Sequence, residues 1–420
     1  MRRIAIVGAG QAGLQLALGL RERGYDVTVV TARTPQEVRA GRVLSTQLMY
    51  GPALALERRA GLNLWGQQTP AIDGVVISPV DPPGARMPER AVGARLDAPA
   101  QSVDQRVKTA RWLELFEERG GRVEYRPVAP EELPALASGY ELTLLATGHG
   151  PLGEVFGRDE RHSPYEQPQR VLACVYVHGV RPDPELPPSF LRMSAFPGAG
   201  EFFVLPALTG SGPCVILLWE GKPGGPFDCW QNVSGPGAAL ERSWQLLRSY
   251  APWEYELCAQ AEPTDPGAAL IGSLTPVVRH PVAEVAPGSY VLGMADAVVL
   301  NDPITGQGSN NAARCADRYL ASIVERGERP FDRAWMHETF AGWWEHARHT
   351  TAFTNMVLDA ARPRHFEDVM AAAARHPALA HRYVNGFADP ADYQEWLMDA
   401  DRAEACLAAV AGRTGGAAVG

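Results

Sequence analysis

The sequence predicts an α/β fold: a parallel-sheet nucleotide domain, an antiparallel β-sheet inserted into it, and a helical C-terminal region. Three observations carry this. The chain opens with a short apolar run, "RIAIV", that leads into spaced glycines and an apolar helix pattern. Stretches 51–97 and 166–269 are rich in Pro and Gly and hold β-type runs such as "RVLACVYVHGV" and "GPCVILLWEG". From about residue 331 the pattern turns helical, as in "RAWMHETFAGWWEHARHTTAFTNMVLDAA" and then "FEDVMAAAARHP".

Taken in order, residues 3–7 suit a buried parallel strand. Gly8, Gly10 and Gly13 follow, with Leu14, Leu16, Leu18 and Leu20 on a helix that ends near Gly24; "DVTVV" (26–30) is a second strand. This is one βαβ unit, and G-x-G-x-x-G between a strand and a helix is the fingerprint of a Rossmann-type dinucleotide site. Gly8 permits the tight turn, Gly10 lets backbone N–H groups approach a pyrophosphate, and Gly13 lets helix and strand pack closely. The helix N-terminus then holds the negative charge without a Lys. The carboxylate that usually ends the second strand is missing: Thr31, Ala32 and Arg33 stand there. Arg33 reads equally as a neighbour of the adenine or phosphate and as a simply exposed residue.

Further along, 111–119 reads as an amphipathic helix, 122–128 and 140–147 as strands, and 288–296 as a strand running into Asp296. A second glycine match, Gly148, Gly150 and Gly153, precedes a short, charged stretch with two prolines. Such a stretch cannot form the crossover helix of a second dinucleotide domain, so one dinucleotide site is expected.

The remaining composition mostly excludes. A chain of 420 residues is too long for one ordinary core, and 46% hydrophobic with 21% charged residues marks a globular protein. A net charge of −9 argues against a nucleic-acid surface. The six cysteines are scattered without any C-x-x-C, which suits a reducing cytosol rather than a zinc cluster or a disulfide framework. They read as small buried hydrophobes. The N-terminal twenty residues imitate a signal peptide, but glycines interrupt the apolar run and no small-residue cleavage site follows. No apolar stretch reaches ~18 residues, so neither a membrane span nor membrane partner is expected. His178, His280, His337, His346 and His349 lack metal-ligand spacing, and no metal is expected.

The stretches "VGAGQAG" (7–13), "LLATG" (144–148) and "GMAD…DPITGQG" (293–308) occur in the order and spacing of FAD-dependent aromatic monooxygenases, which the chain therefore resembles. The resemblance implies an aromatic-hydroxylase-like layout. Residues 1–50, 98–165 and 270–330 would form the Rossmann-type FAD-binding domain. Residues 51–97 and 166–269 would form the inserted antiparallel substrate domain, and 331–420 the C-terminal helices, with a mobile tail from 412. It implies that Gly148 lies on the cofactor and that Asp296 accepts from the ribityl chain. Pro303, Gly306, Gln307 and Gly308 would border the flavin ring. A helix start without Lys suits a reduced isoalloxazine, whose negative charge sits at N1 and O2. The family's Gly-Asp-Ala run is Met294-Ala295-Asp296 here, which loosens close backbone approach.

More narrowly, "TARTPQEVRAGRVLST" (31–46), "APAQSVDQR" (98–106), "SPYEQPQR" (163–170) and "TAFTN" (351–355) resemble the oxygenase component of two-component styrene and indole monooxygenases. The resemblance implies Arg42 near the flavin and a pocket formed by Ser45, Gln47, Met49, Ile72, Val75 and Ala100, the indole-type pattern. Alternation along an extended segment points Ser45, Gln47 and Met49 to one side, and Gln47 could accept from an indole N–H. Arg42, Ser45 and Gln307 are the expected catalytic contacts. The implied reaction uses FADH2 from a separate NADH-dependent flavin reductase and O2. It proceeds through a C4a-hydroperoxyflavin to epoxidise the indole C2–C3 bond or a styrene-like alkene, in the cytoplasm, and is compatible with a homodimer. A single-component NAD(P)H-dependent hydroxylase and a non-catalytic flavin-binding protein are the alternatives.

Overall fold

The computed structural model describes residues 2–148 and 150–416, with side chains as far as residue 411. Two sheets organise the chain. The first runs in the order Val282–Ala286, Ser289–Gly293, Leu142–Leu145, Arg3–Val7, Asp26–Thr31, Arg122–Tyr125. All its pairings are parallel except the edge pair Val282–Ala286 with Ser289–Gly293. Ile4, Ala5 and Ile6 are fully buried because helices cover both faces. Helix Gln11–Glu22 is buried from Gln11 to Leu20. It lies between this sheet and helix Gly308–Arg326, so close that a Cβ on Gly19 would stand 2.6 Å from Leu320 Cδ2. An all-round apolar sequence is what such a position requires.

The second sheet has the order Glu262–Pro263, Val171–His178, Gly212–Gly221, Gly200–Thr209, Phe190–Phe196, Ile72–Pro79, Val92–Ala100, with Ala269–Ser273 also on Val171–His178. The expectation was an antiparallel sheet. It is mixed, because Ile72–Pro79 runs parallel to Phe190–Phe196. Along its central strands both faces are buried. Tyr176, Phe203, Leu205, Ile216 and Leu218 enter one core together with the C-terminal helices. Their neighbours Val175, Val177, Phe202, Val204, Leu217 and Trp219 enter another, under helix Gly235–Tyr250. Period-two alternation between two apolar layers explains why these strands read as continuous hydrophobic runs.

Helices Arg333–Leu358, Arg364–Ala373, Pro377–Gly386 and Ala400–Gly416 complete the chain. The last spans Ala400–Gly416 and so includes the start of the tail expected from residue 412; residues 417–420 lie outside the described part. After Gly150 only one helical turn forms, Pro151–Glu154, so the second glycine match opens no crossover helix. Cys174, Cys214, Cys258 and Cys315 are buried and none of the cysteines is paired. No described helix is long and apolar enough to cross a membrane.

Candidate active site

The glycine turn has three different geometries. Gly8 takes φ +115°, and a Cβ there would sit 2.5 Å from Ala146 O. A Cβ on Gly13 would sit 2.2 Å from Gly8 O. At Gly10, by contrast, a Cβ would meet nothing within 4 Å, and φ −86° is open to any residue. Gly10 is the N-cap of helix Gln11–Glu22, with no side chain capping it. The helix start thus has no side-chain cap and open space beside its N-cap residue, which leaves room for an anion. Beside Gly8, the buried hydroxyl of Thr147 has no partner among the described residues. Arg33 is exposed past strand Asp26–Thr31 and faces Glu37.

The chain continues from Ala146 to Gly148, where a Cβ would lie 3.5 Å from Asp296 Cβ. Among the described residues the Asp296 carboxylate has no hydrogen-bond or ion-pair partner, and burial pushes its carboxyl up to about 6. Ala295, in the family's glycine position, has φ +50°, the left-handed region, and its N–H donates to Cys315 Sγ at 3.4 Å. Pro303–Thr305 is a single 3-10 turn closed by Gly306 at φ +66°. Helix Gly308–Arg326 then starts with no side-chain cap, and a Cβ on Gly308 would meet nothing within 4 Å. The Gln307 side chain faces away from that start: its amide donates to Phe387 O at 2.7 Å and to Thr305 O at 3.3 Å.

An apolar cavity of about 50 Å³ lies against Pro303–Gly306, walled by Val75, Ile77, Leu205 and Phe387 among others. Thr46, Leu48 and Tyr50 line it; Ser45, Gln47 and Met49 do not. Ser45 and Gln47 do share a side, with Ser45 Oγ donating to Gln47 Oε1 at 3.0 Å, but that side faces the protein interior. Gln47 Nε2 donates to Tyr176 Oη at 3.1 Å and Ser102 Oγ at 3.3 Å, and Tyr176 Oη donates to Ser45 O. Met49 lies in a small core with Ala53, Leu54 and Ala313 and meets Lys108 Nζ through its sulfur. Two long-range contacts turn the segment this way: Val43 N–H to Gly267 O and the mutual bridge between Met49 and Gln101. Of the pocket residues expected from sequence, Val75 lines the cavity. Ile72 and Ala100 are paired strand residues buried in the core. Arg42 is exposed and borders a different, open groove of about 580 Å³, with Trp230, Gly267 and Ile271 but none of residues 303–308 on its walls.

Several contributors escaped sequence reading. Arg106 is held by both Asp104 and Asp265 at 2.7–2.9 Å and donates to Gly41 O, so it fixes the start of the Arg42 loop. The stretch 98–106 was visible as a family signature, but Asp265 lies 159 positions away from Arg106. Glu220 and Asp302 form a buried carboxyl pair directly behind Pro303. No other described group donates to Glu220 Oε1, Glu220 Oε2 or Asp302 Oδ2. Burial, together with the charges of Asp302 and Glu201, holds Glu220 well above the ordinary carboxylate range, and burial pushes Asp302 up to about 6. Carboxyls shifted this way would hold one proton between them, while Asp302 Oδ1 accepts from Ile304 N–H and shapes the turn. Nearby Arg170 is already committed to Glu201 at 2.8 Å.

This fold is shared with flavin-dependent halogenases and other flavoproteins. The flavin-dependent brominase Bmp2 matches with a TM-score of 0.64 at 14% identity, covering 93% of this chain and 96% of that one. A flavoprotein/dehydrogenase from Cytophaga hutchinsonii matches with a TM-score of 0.64 at 13% identity over 92% of each chain. A variant of halogenase PltM in complex with FAD gives 0.62 at 12% identity, over 96% of this chain and 85% of that one. The fold class is thus that of the flavin-dependent halogenases and monooxygenases. Residues 148–256 match the family described as "Styrene monooxygenase A putative substrate binding domain". The styrene monooxygenase StyA of a Pseudomonas species is 30% identical over 402 residues, 93% of each chain, and that of Pseudomonas fluorescens is 29% identical over 401 residues, again 93% of each. The chain belongs to the styrene monooxygenase family.

Proposed function

We propose that this chain is the oxygenase component of a two-component flavin monooxygenase that epoxidises indole at C2–C3 and accepts styrene-like alkenes. It would take FADH2 from a separate NADH-dependent reductase. The observation that carries the reading is kinship with styrene monooxygenases along 93% of the chain. The residues present also fit a flavin dinucleotide. The uncapped helix start at Gly10 and the open space before it suit the pyrophosphate. The unpartnered Asp296 carboxylate suits a ribityl hydroxyl, and the uncapped helix at Gly308 suits a ring edge that is negative when reduced.

Reduced FAD, when bound, supplies the two electrons with which O2 delivers one oxygen atom to the alkene and the other to water. The rest falls to the chain. Asp296 and the two helix starts bind and orient the cofactor. The apolar cavity beside Pro303–Gly306 holds the aromatic ring and keeps water away from the reaction. At about 50 Å³ it is tighter than the engineered cavity of about 150 Å³ that admits benzene, so wall side chains must shift as a ring enters. No acid or base of the chain is required for oxygen transfer. Supplying the purified chain with FADH2, O2 and indole or styrene tests the reading, with oxygenated product as readout. Rapid NADH oxidation by the chain and FAD alone would instead indicate a single-component hydroxylase, and binding without turnover a carrier.

A further inference from the structure

We propose that the Tyr50 hydroxyl selects the substrate, by pairing with the ring N–H of an indole-type heteroaromatic that a vinylbenzene lacks. This rests on the reading of the apolar cavity as the substrate chamber. Tyr50 is 3% exposed and lines that cavity. Its backbone N–H is fixed by Asn310 Oδ1 at 2.8 Å, and its ring stacks on Phe387 with centroids 6.4 Å apart. Among the described residues Tyr50 Oη has no hydrogen-bond partner. It also stands close to the 303–306 turn: a Cβ on Gly306 would lie 3.8 Å from it.

The other walls do not compete well for that role. Apart from the backbone, the cavity is apolar except for Thr46, Tyr50 and Thr305. Thr305 Oγ1 is already bonded to Thr354 Oγ1 at 2.7 Å, and Thr46 is only half-buried. Gln47, the acceptor expected from sequence, does not line the cavity: its carbonyl oxygen accepts from Ser45 Oγ and its amide donates to Ser102 and Tyr176. Burial keeps the Tyr50 phenol neutral far into the alkaline range, so it retains a lone pair to accept with. A buried hydroxyl is left unpaired by a hydrocarbon and paired by an N–H, and that difference is what discriminates.

Tyr50→Phe is the test, since it keeps the ring and its stack and removes a hydroxyl with no protein partner. Tm should not change. Equilibrium dialysis of the flavin-free chain should show indole binding weakened roughly 5- to 150-fold and styrene binding unchanged or tighter. With FADH2 supplied, the indole-to-styrene ratio of kcat/KM should fall by a similar factor. An unmoved ratio with both substrates still oxidised overturns the role of Tyr50 and leaves the functional reading standing, pointing to Thr46. A fall in Tm with loss of both substrates shows a structural hydroxyl and also overturns it. If the unaltered chain oxidises neither compound, the functional reading fails, and the dialysis ratio still decides whether Tyr50 discriminates.

Discussion

Replacing Gly10 and Gly13 one at a time by Ala should separate cofactor binding from folding within four residues of chain. At Gly10 the added Cβ meets nothing within 4 Å and φ −86° suits Ala, so the folded protein has room for it. Ala is a poorer N-cap than Gly, but it also lowers the entropy of the unfolded chain by about 0.4–1 kcal/mol, and the two effects nearly cancel. The Tm of Gly10→Ala should stay within about 1 °C. If the pyrophosphate occupies the open space beside the N-cap, the methyl group would intrude on it. Loss of one charge-assisted hydrogen bond costs about 1.5–3 kcal/mol, or roughly 13- to 160-fold in affinity for FADH2. Gly13→Ala is the opposite case. Its Cβ would lie 2.2 Å from the backbone oxygen of Gly8, which cannot rotate aside, so helix and strand must part. That overpacking should cost about 1–3 kcal/mol of stability before any ligand is added. Anaerobic titration of FADH2, with thermal unfolding of the flavin-free proteins, measures both quantities. Unchanged FADH2 affinity in Gly10→Ala would refute the assignment of this helix start to the pyrophosphate.

Asp296→Ala should weaken FADH2 binding by about 1.5–3 kcal/mol, so that excess FADH2 partly restores turnover; an unchanged apparent affinity would remove Asp296 from the ribityl contact. For unaltered protein, binding should favour the ionised Asp296 as acceptor, so FADH2 affinity should decline as pH falls through about 6, and a flat titration from pH 7.5 to 5 counts against this. The Glu220–Asp302 pair holds a proton that unfolding releases at neutral pH, because its folded pKa values lie above the ordinary carboxylate range. Its contribution is present at low pH and declines as pH rises above the ordinary carboxylate range, first through about 6, the folded value of Asp302, and further as pH approaches the still higher folded value of Glu220. The Tm of Glu220→Gln should therefore gain on that of the unaltered chain between pH 5 and 8, and parallel Tm curves would disprove the shared proton. Ala295→Gly should raise Tm by about 1 °C, since the left-handed conformation at φ +50° costs Ala about 1–2 kcal/mol, offset in part by the freer unfolded chain; a lowered Tm would show that the strain is absorbed elsewhere.

What could be read from the sequence follows the range of the forces involved. Gly8, Gly10 and Gly13 were legible because each answers to atoms of one strand-turn-helix, and the turn repeats wherever that unit occurs. The mixed second sheet was not, because the parallel pairing of Ile72–Pro79 with Phe190–Phe196 joins strands more than a hundred positions apart. The same limit explains the loop at 42–50. Alternation was enough to group Ser45 with Gln47 on one side, as their hydrogen bond attests. It could not say which side meets the cavity, because Gly267 and Gln101 decide that. A slip of one position exchanges every inward and outward residue, so Thr46, Leu48 and Tyr50 took the wall. Asp302 stood within a recognised stretch, yet its carboxyl partner lies on a strand 82 positions earlier, where nothing local announces it.

The two-faced burial of the second sheet divides any attempt to redesign this protein into permitted and forbidden positions. Phe203 and Leu205 reach the cavity, while Phe202 and Val204 on the same strand reach the opposite core. Leu191 and Met193, Val75 and Ile77, and Leu218 repeat the pattern on neighbouring strands. With no solvent-facing side to absorb errors, a randomised strand would spend half its changes on packing that has nothing to do with the substrate. A library restricted to alternate positions would vary the shape of the chamber while leaving the layer beneath helix Gly235–Tyr250 intact. If the cavity is the substrate chamber, the sheet works as a partition: substrate range could drift on one side of it without the scaffold on the other having to follow.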